Sequence, residues 1–219
     1  MDRICVEFLI SLGLSVFSEE SGLTEAKVKV GVDQVVVLDP IDGSTNASRR
    51  VPLFVLSCAL VDAGKLTAGY VHELTNHSIY SATQGEGAYW GDTLLTPNDG
   101  TSRKLGKSIV GLNGYPQRHL GWGQFRALGS AALELAMVAS GQLDAYIDCS
   151  QSGLAPWDYL GAMFILKQAG CLVRSLGGEI SPEEEFYGPR RHIVAARDPD
   201  LMDEILRACS VGQSESVVN

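Results

Sequence analysis

The chain has 219 residues, 45% of them hydrophobic and only 20% charged, enough to bury a core without staples, as one compact unit or as two small halves packed together. Twenty-six Asp and Glu against 17 Lys and Arg leave a formal charge of −9, which opposes binding to a nucleic acid polymer or an anionic membrane surface. Five scattered cysteines with no CxxC pair (Cys5, Cys58, Cys149, Cys171, Cys209) argue for reduced thiols in a cytoplasmic setting, and against a disulfide framework or a structural zinc site. The opening Met1-Asp2-Arg3 lacks the basic region of a signal peptide. The longest nearly apolar run, Val51 to Val61, is short of the ~20 residues needed to cross a bilayer.

In chain order, Ile4, Val6, Phe8, Leu9 and Leu12 recur at roughly helical spacing before Gly13, which predicts a short amphipathic helix, and Leu14 to Phe17 reads as a strand. An acidic turn, Ser18-Glu19-Glu20-Ser21-Gly22, and a polar stretch lead to Val35-Val36-Val37-Leu38, a β-branched run of the kind buried on both faces of a sheet, which ends at Asp39-Pro40. Strand-like segments at hairpin spacing follow: Phe54 to Val61, Leu66 to His72, Ser78 to Ala82 and Ala88 to Trp90. They read as an antiparallel meander. The second half alternates: strand Ser108 to Leu112, helix Ser130 to Ser140 closed by Gly141, strand Asp144 to Ile147, and helix Asp158 to Ala169 closed by Gly170. Strands Cys171 to Arg174 and Ile193 to Ala196 and a helix Pro199 to Ala208 complete it, so the chain is α/β (α+β). The polar segment Asn98 to Lys107 is the expected boundary between halves, and Gly212 to Asn219 an expected frayed tail.

The densest cluster of chemistry-bearing residues is Asp39-Pro40-Ile41-Asp42-Gly43-Ser44-Thr45-Asn46, directly after the buried strand. Two carboxylates three residues apart can face one point, and the N–H groups of Gly43, Ser44 and Thr45 can form an anion-binding nest, a combination suited to a metal-bound phosphate. An ordinary Asp-Gly turn is the plainer alternative. Glu19-Glu20 is a second acidic pair, otherwise a solvated turn, and Trp157-Asp158 opens a helix, where N-capping is the usual role of an Asp. If Glu19, Asp39, Asp42 and Asp158 converge, their repulsion is relieved by hard divalent cations, and all-oxygen ligation points to Mg²⁺ rather than zinc. His72-Glu73 with His77 is one residue too long for H-E-x-x-H.

Glu19-Glu20, the Asp39 to Asn46 run and Trp157-Asp158 occur in the order and approximate spacing of the inositol monophosphatase family, which the chain resembles. Gly85-Glu86-Gly87-Ala88-Tyr89 and Arg126-Ala127-Leu128-Gly129-Ser130-Ala131-Ala132 extend the likeness across nearly the whole chain. That family comprises Mg²⁺-dependent, lithium-sensitive sugar-phosphate phosphatases, archaeal-type fructose-1,6-bisphosphatases and 3′-phosphoadenosine 5′-phosphate phosphatases among them. The resemblance implies a layered α-β-α-β-α fold with a metal- and phosphate-binding half (residues 1–104) and a substrate-side half (105–219). It implies that Glu19, Asp39, the Ile41 carbonyl, Asp42 and Asp158 hold Mg²⁺, and that Gly43 and Ser44 bind phosphate through their N–H groups while the Ser44 hydroxyl positions the attacking water. Gly129, Ser130, Ala131 and Asp148 would contact the sugar or inositol ring; helix-start packing and a strand-end turn are their structural alternatives. Asp2 matches an Asp that helps activate water, in a chain short at its N-terminus relative to the family, and Asn46-Ala47 stands where the family has Asn-aromatic. The implied activity is hydrolysis of a phosphate monoester of a small polyol or sugar by a homodimer. A non-catalytic metal- and phosphate-binding homologue is the alternative.

Overall fold

The computed structural model describes residues 1–27, 34–96, 103–177, 180 and 188–210. The expected tail, Gly212 to Asn219, lies outside these residues, as does much of the expected boundary segment Asn98 to Lys107.

The protein is layered α-β-α-β-α. The first sheet has eight strands in the order β2-β1-β3-β4-β5-β6-β7-β8: β1 Ser15–Ser18, β2 Gly22–Thr24, β3 Gln34–Asp42, β4 Val55–Asp62, β5 Lys65–Glu73, β6 Ile79–Thr83, β7 Gly87–Trp90 and β8 Thr93–Leu95. From β3 to β8 it is the antiparallel meander that the hairpin spacing predicts, while β1 joins β3 in parallel. The second sheet, β10-β9-β11-β13-β12, is mixed: β9 Ile109–Gly114, β10 Gln124–Arg126 and β11 Ala145–Cys149 run parallel, and β12 Leu172–Ser175 and β13 Ile193–Ala196 pair antiparallel.

Helices α3 (Ala131–Ala139) and α4 (Pro156–Gln168) fill the space between the sheets, and their near-complete burial explains why both are apolar around most of their circumference. The main core therefore joins side chains from both halves, Val37, Val55 and Val71 of the first sheet with Leu133, Leu135, Tyr159 and Ile165 of the helices and Ile193 of the second sheet. Helix α1 (Asp2–Ser11) covers the outer face of the first sheet through Val6, Cys5 and Leu9 on Leu38 and Leu56. Helix α5 (Pro199–Ser210) covers the outer face of the second, placing Leu201, Met202 and Ile205 on Val110, Ile147 and Val194. Gly13, Gly141 and Gly170 close α1, α3 and α4 at φ of 82°, 78° and 76°.

Helix α4 sits unusually close to the sheet, because Gly161 faces β4 and β5 without a side chain. A Cβ on Gly161 would lie 2.4 Å from the Cys58 carbonyl oxygen, and one on Gly69 would lie 2.3 Å from that of Gly161. This contact draws the N-terminal turn of α4 toward the C-terminal end of β3.

Some short elements escape the periodicity of the sequence: β2, β8 and β10 are three residues each, and the six-residue α2 (Ser44–Arg49) has no buried face. A further difference lies at Pro40. The expected strand end at Asp39-Pro40 is instead strand interior, since β3 continues to Asp42. Proline has no N–H to give a ladder, and the pairing with β4 shifts between Asp39 and Asp42, a bulge that spares Pro40 that demand.

Candidate active site

Three carboxylates from three separate elements meet at the C-terminal end of the central strand. Glu19 follows β1 and is carried there by its backbone N–H, which donates to the Leu38 carbonyl at 3.0 Å. Asp39 lies in the bulged end of β3, 2% exposed, with Oδ1 accepting from the Ile41 N–H at 2.9 Å. Asp158 is the third residue of α4 rather than its cap; its Oδ2 turns back to accept from the Ala155 N–H at 2.7 Å, an arrangement that caps the helix from inside. Carboxylate oxygens of Glu19, Asp39 and Asp158 lie within 4.8 Å of one another.

Asp42 stands beside this cluster rather than in it. Its Oδ2 accepts from the Ser130 hydroxyl and from the Ala132 N–H, both at 2.7 Å, which ties the end of β3 to the first turn of α3. Asp2, at the start of α1, accepts a short hydrogen bond from the hydroxyl of Ser18, the residue before Glu19. The bulge therefore sends Asp39 and Asp42 to different partners, although both remain in one electrostatic environment.

That environment favours protons over charge. Burial pushes Asp39 far above the usual carboxylate range, and the neighbouring charges of Asp42 and Glu19 push it further. Burial likewise raises Asp158 to about 7, against the opposing hydrogen bond from Ala155. Asp42 is raised to about 6 by burial, and the Ser130 and Ala132 hydrogen bonds hold it from rising more. Arg190 brings a cation against the cluster, its Nη1 3.9 Å from Asp158 Oδ2. Three all-oxygen acidic donors that repel one another fit a hard divalent cation such as Mg²⁺, and no nitrogen or sulfur ligand joins them among the described residues.

Gly43 follows Asp42 at φ 89° as the cap of α2 and is hemmed in by backbone: a Cβ there would lie 3.0 Å from the Leu53 oxygen and 3.2 Å from that of Gly129. The left-handed cap turns the N–H groups of Ser44 and Thr45 outward at the end of the strand, with both side chains exposed. Asn46, also in α2, donates through Nδ2 to the carbonyls of Leu53 and Leu128 at 2.8 and 2.6 Å. So α2 and the Gly129-Ser130-Ala131 turn form two adjoining walls, Gly129 being exposed while Ser130 and Ala131 are buried.

Asp148 lies in β11 and is held by three donors. It is 1% exposed, and its oxygens accept from Asn113 Nδ2 and the Ser150 N–H, each at 3.0 Å, and from His192 Nδ1 at 3.1 Å. Three residues that the sequence reading does not single out thus belong to the neighbourhood: Arg190, His192 and Glu134. Glu134 is buried in α3 at 1% exposure and holds the turn, accepting from the N–H groups of Leu128 and Gly129 at 2.8 and 3.2 Å. A Glu in an otherwise apolar helix was a legible signal; nothing local marks Arg190 or His192.

The sequence pattern of the inositol monophosphatase family matches residues 12–213. A fructose-1,6-bisphosphatase/inositol-1-monophosphatase of Thermococcus kodakarensis is 30% identical over 213 residues, covering 94% of this chain and 79% of that protein. The Nus factor SuhB of Escherichia coli is 32% identical over 181 residues, 75% of this chain, which spans 64% of SuhB's length. The crystal structure of inositol monophosphatase-II from Staphylococcus aureus superposes with a TM-score of 0.80 at 26% identity, covering 100% of this chain and 85% of that one.

Proposed function

The chain belongs to the inositol monophosphatase family, a family of phosphatases, and we propose that it hydrolyses a phosphate monoester of a small polyol or sugar with the help of Mg²⁺. The observation that carries this reading is the meeting of Glu19, Asp39 and Asp158 within 4.8 Å, from elements far apart in sequence, next to the capped N-terminus of α2. Asp42 and the Ile41 carbonyl complete the donor set in this proposal. Divalent cations bound there would neutralise the substrate phosphate and lower the pKa of a bound water.

The remaining roles fall to the protein's own groups. The Gly43 and Ser44 N–H groups hold phosphate oxygens, and the Ser44 hydroxyl accepts from and orients the attacking water. Asp2, through the Ser18 hydroxyl, fixes the chain at Glu19 and stands ready to take a proton on that side. Ser130 keeps the Asp42 carboxylate turned by its hydrogen bond. Gly129 and Ala131 form the wall against which the polyol rests.

Phosphate release from inositol 1-phosphate, measured with and without Mg²⁺, tests the reading. The expected result is release that needs Mg²⁺, is inhibited by Li⁺ or Ca²⁺, and is lost in Asp42→Asn. Turnover that persists in EDTA would sink it. Binding of Mg²⁺ and ligand by calorimetry, with no hydrolysis of any phosphate monoester tried, would instead mark a non-catalytic homologue.

A further inference from the structure

Helix α1 carries apolar side chains on two sides. Val6, Leu9 and Ile10 pack with Val16 of β1 and Leu38 of β3, and Cys5 lies beside them. Ile4, Phe8 and Leu12 face the other way, 65%, 61% and 48% exposed, and Met1, 54% exposed, extends their row by a turn. At about 100° of rotation per residue these four positions fall within an arc of about 80°, so they form one stripe along the helix. A helix that is apolar on two sides has the pattern of a buried helix, yet among the described residues α1 is covered on one side only.

The two flanks of the stripe differ in chemistry. On one flank Arg3 and Glu7 stand a turn apart, both exposed, and neither side chain makes a hydrogen bond or ion pair among the described residues. On the other, Cys5 and Leu9 lead to Leu56 and Cys58 of β4, and Tyr70 of β5 stands opposite Cys58, all of them partly exposed. The apolar surface therefore runs from the helix onto the sheet. Four large side chains exposed to this degree present on the order of 400 Å², a scale at which an apolar patch on a soluble protein marks a contact surface.

The stripe is complementary to itself. When a second α1 is laid antiparallel across a two-fold axis at mid-helix, Ile4 meets Phe8 of the partner subunit, Phe8 meets Ile4 of the partner subunit, and Leu12 meets Met1 of the partner subunit. In an antiparallel pair each flank also faces its own counterpart with the ends exchanged. Arg3 thus comes against Glu7 of the partner subunit, and Glu7 against Arg3 of the partner subunit, whereas a parallel pair would set this charged flank against the apolar one. We propose that this face is an interface between two copies of the chain, with α1 packed antiparallel on α1. A stable interface takes about 800 Å² from each partner, about twice what the stripe offers, so the dimer is a weak one with a dissociation constant in the micromolar range. The inference is independent of the phosphatase reading.

Sedimentation velocity of the full chain, over a concentration series that spans the micromolar range, tests the proposal. Wild type is expected to show a monomer–dimer equilibrium with no larger species. Phe8→Asp is expected to raise the dissociation constant at least tenfold with little change in Tm, because Phe8 lies on the side of α1 away from the core. Arg3→Glu and Glu7→Arg are each expected to weaken self-association at least threefold by setting like charges together, while a mixture of the two variants pairs at least as well as wild type, since every contact on the flank then joins opposite charges. A chain that stays monomeric throughout overturns the proposal and leaves the stripe to an occupant other than a second copy. A dimer whose dissociation constant none of these variants moves also overturns it, because that dimer assembles through another surface. So does a wild type that forms ever larger species, since a two-fold contact closes at two. Weakening by Phe8→Asp without recovery in the Arg3→Glu and Glu7→Arg mixture overturns the antiparallel arrangement.

Discussion

The Ser130 hydroxyl donates to Asp42 Oδ2 at 2.7 Å across 88 residues of sequence, and this bond, with the parallel one from the Ala132 N–H, joins the end of the central strand to the start of α3. The two walls of the candidate site are thereby one unit. The proposed phosphate-binding turn after Asp42 cannot move away from the Gly129-Ser130-Ala131 turn without breaking a hydrogen bond to a carboxylate. Asn46 repeats the link from the other direction by donating to the Leu128 carbonyl.

Replacing Ser130 with Ala removes one of the two donors to Asp42. A hydrogen bond to a charged group contributes about 1.5–3 kcal/mol, so kcat/KM is expected to fall by roughly one to two orders of magnitude. Since the Ser130 hydrogen bond favours the ionised form of Asp42, its loss raises the Asp42 pKa from about 6. The acid limb of the pH–rate profile is then expected to move to higher pH. A profile that keeps its midpoint while the rate falls would show that Ser130 acts through packing alone.

Stability should depend on pH in a direction set by the same acids. Asp39, Asp42 and Asp158 all have folded-state pKa values raised by burial, the latter two to about 6 and about 7. Unfolded aspartates titrate near ~4. The folded chain thus holds protons that the unfolded chain has released, and the stability this contributes is full below about pH 4 and is lost as pH rises through the folded values. In EDTA the Tm is expected to decline between about pH 5 and 9. Mg²⁺ binds the deprotonated carboxylates, so the Tm gain it brings is expected to be larger at about pH 8.5 than at about pH 6. Scanning calorimetry at both pH values checks this, and a gain independent of pH would separate these acids from cation binding.

Gly43 and Gly22 share a left-handed backbone and differ in their surroundings: φ 89° with two carbonyl oxygens at 3.0 and 3.2 Å from a built Cβ, against φ 68° with nothing within 4 Å. Alanine at either position carries the left-handed penalty of about 1–2 kcal/mol. Only Gly43→Ala must also displace Leu53 or Gly129, and with them the cap of α2. The expected outcome is a modest drop in Tm for Gly22→Ala, a deeper one for Gly43→Ala, and a loss of phosphate release of more than tenfold for Gly43→Ala alone. Equal activity losses in the two would place the effect in global stability.

What could be read beforehand divides along contact range. Asp39 and Asp42 are close in sequence, the strands of the meander follow at hairpin spacing, and α3 and α4 are long enough for their glycine stops to show, so these were legible. The Pro40 rule, that proline ends a central strand, yielded to a bulge that depends on where β4 pairs. The six residues of α2 have no buried face, so no apolar period announces them. The contact of Asp148 with a sugar ring was implied by the resemblance alone; its three donors, from β9, the following turn and His192, come from segments that no local pattern connects. Arg190 reaches Asp158 only because Leu154 pairs with Arg191, a bridge between segments that share no local pattern.

Glu134 offers the last test, because it is a buried carboxylate with no cation against it among the described residues. Oε1 accepts from Leu128 and Gly129, whereas Oε2 is buried without a hydrogen-bond partner, as is the Tyr146 hydroxyl. A Cβ on Gly111 would lie 2.6 Å from that Oε2 and 3.1 Å from Tyr146 Cδ2, which places the two side chains around the same glycine. Burial raises the Glu134 pKa to about 7, so above that pH the fold carries an unpaired buried charge. Glu134→Gln keeps the acceptor for the turn and removes the charge. The Tm of Glu134→Gln relative to wild type is accordingly expected to rise between about pH 5 and 7 and to level off above, since the wild-type side chain loses stability as pH climbs through its folded pKa and the amide does not. Glu134→Ala instead leaves two backbone N–H groups without their acceptor, at about 1–3 kcal/mol each, and is expected to lower Tm at every pH and to raise KM by loosening the Gly129-Ser130-Ala131 wall. A Gln variant whose Tm difference from wild type is flat across that range would mean that Glu134 is already ionised in the fold, as it is in the unfolded chain, and that the turn is held by a carboxylate.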